Sequence, residues 1–189
     1  MDSIKLTKQH KKTLVQVAKQ TLIDMVYGRK PPEFDIKDDM LNKECGAFVT
    51  LHMNGGLRGC IGNMSSREPL WKTVRNMAIE AAFHDPRFPA VTASELNRIE
   101  LEISVLSPLQ QIKDTSEIEV GKHGLLVKKG PYQGLLLPQV AAEYRWGKTE
   151  FLEQTCLKAG MKKDCYKQKG CQIFIFSANV FSEKDLHSE

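Results

Sequence analysis

The peptide Leu57–Gly62 brings together residue types that could perform thiol chemistry. It contains Cys60, with Arg58 two residues before it, one glycine directly before the cysteine and another two residues after it. The thiolate is the reactive form of cysteine, and a nearby cation favours it. A histidine such as His84 or His52 would supply the base that a catalytic cysteine needs. The first hypothesis is therefore a nucleophilic Cys60 with His84 as its acid–base partner.

The structural alternative assigns Cys60 to packing. Free cysteine is often a small buried residue, and glycines within a strand are typical of a close approach of neighbouring backbone. In this interpretation Gly59 and Gly62 leave room for adjacent elements, and the sulfur takes no part in a reaction. A single cysteine with histidines distant in the sequence does not define a catalytic triad. Both interpretations therefore stay open.

A third interpretation is that this peptide binds an anion. Its backbone N–H groups, from Gly59 through Gly62 to Asn63, come shortly before a predicted helix that starts with a Ser-x-x-Glu capping pattern at Ser65. Helix N-termini and successive N–H groups attract anions. Arg58 would add a bidentate fork for a phosphate or carboxylate. In this interpretation the partner of the site is an anionic ligand.

The segment His84–Pro89 is a second concentration of polar groups. His84 could act as an acid or base with Asp85 orienting its ring, and Arg87 could hold an anion. Alternatively, Asp85 caps a turn and pairs with Arg87, because an Asp-Pro sequence starts turns regardless of function. The two interpretations differ in whether these side chains are free to meet a ligand.

A predicted helix near Pro138 offers a further polar pair. Gln139 and Glu143 are four residues apart, so they lie on one face of that helix and could both face a cleft. An exposed polar edge of a capped helix explains them equally well.

Metal and cofactor sites are not expected. The five histidines show no HxH or HExxH spacing, and the five cysteines form no CxxC pair. The glycines match no Walker or Rossmann pattern. We expect Cys165 and Cys171 to be ordinary thiols, and the cysteine usage favours a reducing, cytoplasmic location over a disulfide framework.

The overall charge of the chain allows an anionic partner without requiring one. The net charge is +4, with 41% hydrophobic and 26% charged residues, as in ordinary globular proteins. A basic segment contains Lys158, Lys162, Lys163, Lys167 and Lys169, with one tyrosine among them. A solvated loop is the commoner origin of such a run, so nucleic acid is not expected as a partner. No apolar run reaches the length of a membrane span, so we expect no membrane association.

The elements that must position these residues follow from the apolar pattern. Apolar residues at helical spacing predict a helix from Thr7 to Tyr27. Strand-forming residues over 47–53, a turn at Asn54-Gly55 or Gly55-Gly56 and a returning strand over 57–61 predict a hairpin. With either two-residue turn, Arg58 and Cys60 would share a face with Val49 and Leu51, since side chains alternate with a period of two. A three-residue loop would place both on the other face.

The rest of the chain also contains both predicted strands and predicted helices. Strict alternation predicts a strand over 99–105, with Glu100 and Glu102 on the face opposite Leu101. A second hairpin, two short helices and a final strand over 171–176 follow. Helices and strands do not alternate regularly, which favours an α+β fold with largely antiparallel sheets.

Several peptides together resemble the AMMECR domain family, named after a human chromosomal region linked to Alport syndrome and elliptocytosis. They occur in the family's order and extend over roughly residues 7–182; they are 46–51, 57–62, 81–89, 99–108, 134–141 and 146–160. The family often has tryptophan after the Asp164-Cys165 pair, where this chain has Tyr166. The resemblance implies an α+β fold in which residues 1–189 form one domain. That domain would comprise two unequal subdomains with a cleft between them, the larger using both chain ends.

The family's biochemical activity is not established, so the resemblance leaves three hypotheses. The first is an enzyme or enzyme accessory that acts with partner proteins on an anionic small or peptide-linked substrate at Leu57–Gly62. The second is a non-catalytic interaction or regulatory module. The third is a nucleic-acid-associated regulator. Prokaryotic relatives are often encoded beside, or fused to, Memo-like and radical SAM proteins, which the resemblance implies as partners.

Overall fold

Helices and antiparallel strands follow one another irregularly along the chain, which is an α+β fold, as predicted. The structure, a computed structural model, describes residues 4–187. Its helices are α1 (Lys8–Val26), α2 (Leu70–Phe83), α3 (Pro138–Glu143), α4 (Lys148–Lys158) and α5 (Glu183–His187), and its strands are β1 (Ala47–Met53), β2 (Gly56–Asn63), β3 (Ile99–Leu106), β4 (Gln110–Ile112), β5 (His123–Lys129), β6 (Tyr132–Leu136) and β7 (Gln172–Ser182). The main-chain contacts divide it into two compact units.

The large unit comprises Ile4–Leu106 and the chain from Asn179 onward. Its sheet has the order β2-β1-β3, with antiparallel pairing throughout, so that β2 lies at one edge. Helices α1 and α2 pack on one face of this sheet. That face carries the buried residues of β1 and β3, including Val49, Leu51 and Ile103, which join the apolar stripes of both helices in one core.

Helix α1 begins where its sequence predicts. The hydroxyl of Thr7 accepts a hydrogen bond from the His10 N–H, and His10 Nδ1 accepts one from the Thr7 N–H, so the two residues form a reciprocal cap. At the other end Gly28 has φ of +72°, a conformation that glycine adopts without steric cost. The predicted helix 7–27 is thus confirmed.

Helix α2 begins later than its sequence predicts. Its first residue is Leu70, and the Ser-x-x-Glu pattern at Ser65 lies outside it. The N–H of Leu70 donates to the Lys43 carbonyl (2.9 Å), and the N–H of Trp71 donates to the Leu41 carbonyl (3.2 Å). These bonds fix the start of the helix at Leu70 and satisfy two donors of its first turn. The predicted helix start at Ser65 is therefore wrong, and those two N–H groups are not available to an anion.

The small unit comprises Ser107–Ala178. Its strands have the order β4-β7-β5-β6, all antiparallel, and α4 packs against β5 and β6. Phe151 and Leu152 of α4 are buried in its core with Leu125. The predicted second hairpin is present, with a two-residue turn between Lys129 and Tyr132.

The small unit contains a disulfide that the sequence does not predict. Cys156 and Cys165 are bonded, and their Cα atoms are 5.9 Å apart. The first lies in the last turns of α4 and the second begins a short 3-10 helix, and both are buried against Val127. The prediction that Cys165 is an ordinary thiol is therefore wrong. The turn after α4 brings Cys165 to Cys156, and the spacing of these two cysteines does not indicate a bond. Cys171 is free.

Within residues 4–187, no helix combines the length and the apolar character needed to cross a membrane.

Candidate active site

A β-bulge in β2 determines which way the residues of Leu57–Gly62 face. His52 pairs with Leu57, as a two-residue turn requires, but Leu51 pairs with Gly59. Arg58 is therefore an extra residue in β2, opposite no residue of β1. An extra residue in one strand moves every later side chain of that strand to the other face.

Cys60 therefore lies on the face opposite the core. It pairs with Thr50, and its sulfur accepts a hydrogen bond from the Thr50 hydroxyl at 3.3 Å. The expectation that Cys60 shares a face with Val49 and Leu51 is wrong, because the pattern of apolar residues gives no sign of the bulge at Arg58. The side chain of Cys60 is half-buried and does not belong to the core cluster.

The glycines of the peptide allow close packing on both faces of β2. A Cβ atom on Gly59 would lie 2.2 Å from the Ala81 carbonyl oxygen of α2. A Cβ atom on Gly62 would lie 2.2 Å from the ring of Phe48 on the opposite face. The packing interpretation thus accounts for both glycines, although it does not account for the sulfur.

Polar side chains line the face that carries Cys60. Thr50 pairs with Cys60 on one side and with Glu102 on the other, and His52 pairs with Glu100 in the adjacent row. Directly opposed residues in an antiparallel sheet have Cβ atoms about 4.5–5.5 Å apart. A thiol, a hydroxyl, an imidazole and two carboxylates therefore lie close together on one surface.

The Cys60 thiol is protonated at neutral pH. Burial raises its pKa above the usual value, and the negative charges of Asp85 and Glu102 act in the same direction. The hydrogen bond from Thr50 and the positive charge of Arg87 oppose this increase without overcoming it. The thiolate that a cation next to cysteine would favour is thus not the resting form.

Asp85 and Arg87 bind the outer edge of β2 at Cys60. Asp85 Oδ2 accepts a hydrogen bond from the Cys60 N–H at 2.9 Å, and Arg87 Nη2 donates to the Cys60 carbonyl at 3.2 Å. The two side chains also pair with each other, at 2.7 Å between Arg87 Nη2 and Asp85 Oδ2. These bonds hold the pKa of the Asp85 carboxyl well below its usual range. The Asp85 carboxylate thus takes the position at the Cys60 N–H that an external anion would need.

Arg58 is held by a buried ion pair. Its Nε and Nη2 donate to the two carboxylate oxygens of Glu95, at 2.8 and 3.2 Å. The side chain is 8% exposed, and its Nη1 is buried with no hydrogen-bond partner among the described residues. This pair, together with hydrogen bonds from the N–H and hydroxyl of Thr92, lowers the pKa of Glu95 to about 2. The bidentate fork of Arg58, which the anion-binding interpretation assigns to an anionic ligand, is therefore directed at Glu95.

The other predicted site residues lie elsewhere. His84 follows the last residue of α2, is exposed, and has Nδ1 3.2 Å from Glu80 Oε2. Within residues 4–187, the His84 side chain forms no hydrogen bond with Cys60. Gln139 and Glu143 lie on α3 in the small unit, where Gln139 is half-buried and Glu143 is exposed.

A depression of 580 Å³ adjoins the polar face of the sheet. Its lining includes His52, Glu100 and Glu102 together with Glu183 and Lys184 of α5. Small-molecule sites typically have volumes of about 300–1,000 Å³. The depression therefore offers space for a ligand beside the imidazole and the Glu102 carboxylate. Across residues 4–187, no group of three or more histidine, cysteine, aspartate or glutamate side chains is arranged to hold a metal ion.

Thr50 and Glu102 are not among the residues that the sequence singles out. The alternation in β3 does place Glu102 on a polar face. What the sequence lacks is the pairing of β3 with β1 and of β1 with a bulged β2, which together bring Glu102, Thr50 and Cys60 into one row. Long-range pairing of this kind has no local signature.

Comparison with known proteins identifies the family. A profile described as AMMECR1 matches residues 15–181. A protein of Aquifex aeolicus is 38% identical over 183 residues, covering 93% of this chain and 94% of that protein. Protein PF1979 of Pyrococcus furiosus is 42% identical over 184 residues, covering 90% and 87%. The crystal structure of the uncharacterized protein PH0010 from Pyrococcus horikoshii superimposes with a TM-score of 0.87 at 37% identity, covering 91% of this chain and 90% of that one. The chain therefore belongs to the AMMECR1 family.

Proposed function

We propose that this protein is an enzyme, or the accessory component of one, with Cys60 as its reacting group. Its substrate would be a small or peptide-linked molecule, and the peptide Leu57–Gly62 would form one wall of the site. The observation that carries the proposal is the position of the sulfur. It lies half-buried on a polar face with Thr50 and Glu102, whereas a cysteine kept only for packing would lie in the core.

The proposed role of Cys60 requires a base, because its thiol is protonated at rest. His52 is the preferred candidate in place of His84, since it lies on the same sheet face one row from Cys60 and lines the adjoining depression. Glu102 is the second candidate. A protonated thiol that loses its proton only when a substrate is bound is also protected from unwanted oxidation, because the thiolate is the reactive form.

The expected anionic group of the substrate would meet Arg87. The side chain of Arg87 is 52% exposed, and its hydrogen bonds to Asp85 and Cys60 use only Nε and Nη2 among the side-chain nitrogens. Nη1 and the outer edge of the guanidinium are therefore available to a carboxylate or phosphate. Arg58, the cation favoured by the sequence, would act by positioning the bulge through its pair with Glu95.

Conversion of small molecules by the purified protein tests this proposal directly. The wild-type protein and the Cys60→Ser variant are incubated with a desalted mixture of cellular metabolites and peptides, and mass changes are recorded by mass spectrometry. We expect at least one mass change that the wild type produces and Cys60→Ser does not. His52→Ala should reduce the same change, whereas His84→Ala should leave it intact.

The matched control is Cys45→Ser, which removes another half-buried thiol of the large unit that packs against the core. Thermal unfolding of each variant verifies that it is folded. If the wild type and Cys60→Ser give the same products, Cys60 is not a reacting group. If Cys45→Ser abolishes the same mass change while it remains folded, the effect is not specific to the proposed site.

The second candidate function is a non-catalytic interaction module. The observation in its favour is Leu57, which is 44% exposed at the start of the same peptide. Partners of the Memo-like and radical SAM classes, which the family resemblance implies, are the proteins to test. Titration of purified proteins of these classes against this chain should give saturable binding that Leu57→Glu weakens and Val180→Glu, at another exposed apolar residue, does not. Absence of binding by the wild type would exclude both classes as direct partners.

A further inference from the structure

The small unit contains a groove at the tip of its second hairpin that is independent of the site at Cys60. Lys129 and Tyr132 pair across the two-residue turn Gly130-Pro131, and Gly130 adopts φ of +57°. Cross-strand partners project from the same face of a sheet. The aromatic ring of Tyr132 and the ammonium of Lys129 are therefore neighbours, and Tyr132 is 56% exposed.

The opposite wall of the groove comes from the turn that follows α4. Gly160, Met161 and Lys162 line it, together with Cys165 and Gln168. The groove has a volume of 700 Å³, within the range of about 300–1,000 Å³ that small-molecule sites have. The disulfide of Cys165 fixes this turn to the end of α4.

The groove is positively charged. Lys129 Nζ donates a hydrogen bond to the neutral amide oxygen of Gln168 at 2.7 Å and forms no ion pair among the described residues; the Gln168 amide in turn donates to Asp164 Oδ1 at 3.3 Å. Lys162 forms no ion pair within the described residues, and no carboxylate lines the groove. The segment 107–178 contains 11 lysines and arginines against 7 aspartates and glutamates, so it carries the whole net charge of +4. The remainder of the chain is balanced.

We propose that this groove binds a nucleotide unit, with its base stacked on Tyr132 and its phosphate held by Lys129 and Lys162. An exposed aromatic ring beside uncompensated cations is the arrangement with which proteins bind bases and phosphates without sequence preference. An acidic peptide would satisfy the lysines and give the Tyr132 ring no role. A free nucleotide and a nucleotide within a single strand present the same ligand chemistry, a base and a phosphate.

Fluorescence polarisation of the full-length protein, with its disulfide intact, tests the proposal. The probe is a labelled single-stranded oligoadenylate of about eight nucleotides, within the usual site sizes. Adenosine monophosphate and polyglutamate are the two competitors. We expect saturable binding that polyglutamate does not displace. Displacement by the monophosphate would identify the free nucleotide as sufficient, and no displacement would identify the strand as the ligand; both support the proposal.

Variants distinguish stacking from charge. Tyr132→Ala should weaken binding at least about fivefold, whereas Tyr132→Phe should retain it, because stacking requires only the ring. Lys162→Gln should reduce the slope of log affinity against log salt by about 0.7, the value for one phosphate contact on a single strand. The matched controls in the large unit are Tyr27→Ala, 59% exposed in the wild type, and Lys30→Gln, also exposed.

Three results would overturn the proposal. The first is the absence of binding by the wild type, and the second is equal weakening by Tyr132→Ala and Tyr27→Ala. The third is displacement of the probe by polyglutamate with no dependence on Tyr132, which would identify the groove as a site for acidic peptides. None of these results bears on Cys60, so the proposal stands or falls independently of the proposed enzyme activity.

Discussion

The buried pair of Arg58 and Glu95 predicts a stability change that depends on pH. Glu95→Gln removes the negative charge and leaves the Arg58 guanidinium buried with a neutral partner. The pKa of Glu95 falls from its usual 4.5 to about 2 in the folded protein. At about 1.36 kcal/mol for each tenfold change in the protonation equilibrium, the charged form is stabilised by about 3 kcal/mol. This value agrees with the cost of about 3–5 kcal/mol for breaking a buried ion pair.

The sign of the pH dependence follows from the lowered pKa. A carboxyl whose pKa is lower in the folded state contributes its full stabilisation above its unfolded pKa, and loses it as pH falls towards the folded value. The free energy of unfolding of the wild type should therefore exceed that of Glu95→Gln by about 3 kcal/mol at pH 7 and by less than half of this at pH 3. Other acidic groups, including Asp85, titrate in both proteins and cancel in the difference.

Urea denaturation at pH 7, 5, 4 and 3 measures this difference. A Trp146→Phe background leaves Trp71 as the fluorescent reporter, which lies in the core of the large unit. Glu100→Gln is the matched control, because Glu100 forms an exposed pair with Lys184 and such pairs contribute at most about 1 kcal/mol. A difference for Glu95→Gln that is unchanged between pH 7 and pH 3, or no larger than that of Glu100→Gln at pH 7, would refute the reasoning.

Three further predictions concern the same unit. In urea denaturation, Gly59→Ala should lower the free energy of unfolding by about 2 kcal/mol or more, because the added Cβ would overlap the backbone of Ala81. Gly56→Ala is the control and should cost less than about 1 kcal/mol, because the atom nearest to its added Cβ is 3.7 Å away. Glu102→Gln should lower the pKa of the Cys60 thiol, because it removes a negative charge. The rate of Cys60 alkylation, measured by mass spectrometry, should then rise at a lower pH than in the wild type. An unchanged pH profile would show that Glu102 does not act on the thiol. Leu14→Ala should cost about 2–5 kcal/mol in urea denaturation, as expected for a fully buried leucine, and a cost below 1 kcal/mol would contradict the assigned core.

Local patterns predict the elements of this fold well. The extent of α1, its apolar stripe and the two-residue turn of the first hairpin depend on residues close together in the sequence, and each is present. The start of α2 is different, because hydrogen bonds from Leu70 to Lys43 and from Trp71 to Leu41 override the capping pattern at Ser65. Tertiary contacts decide such boundaries, and a sequence pattern does not contain them.

In the candidate site, too, local sequence patterns do not predict the contacts between distant segments. The residue types of Leu57–Gly62 indicate where chemistry is possible, but one extra residue at Arg58 reverses the face of Cys60. The cation expected to activate the thiol is instead paired with Glu95, more than thirty positions away in the sequence. The Cys156–Cys165 disulfide likewise depends on a turn geometry that the spacing of nine residues does not reveal. Pairing between distant segments determines the environment of each of these side chains.

The bonds of Asp85 and Arg87 to the Cys60 backbone also have a consequence for the association of chains. β2 is the edge strand of the sheet in the large unit, and an open edge can pair with a strand of another molecule. Here the N–H and carbonyl of Cys60 are already bonded to side chains of the same chain. Asp85 and Arg87 therefore occupy the hydrogen-bonding groups in the middle of this edge, which opposes strand addition by another molecule at the peptide that carries the thiol.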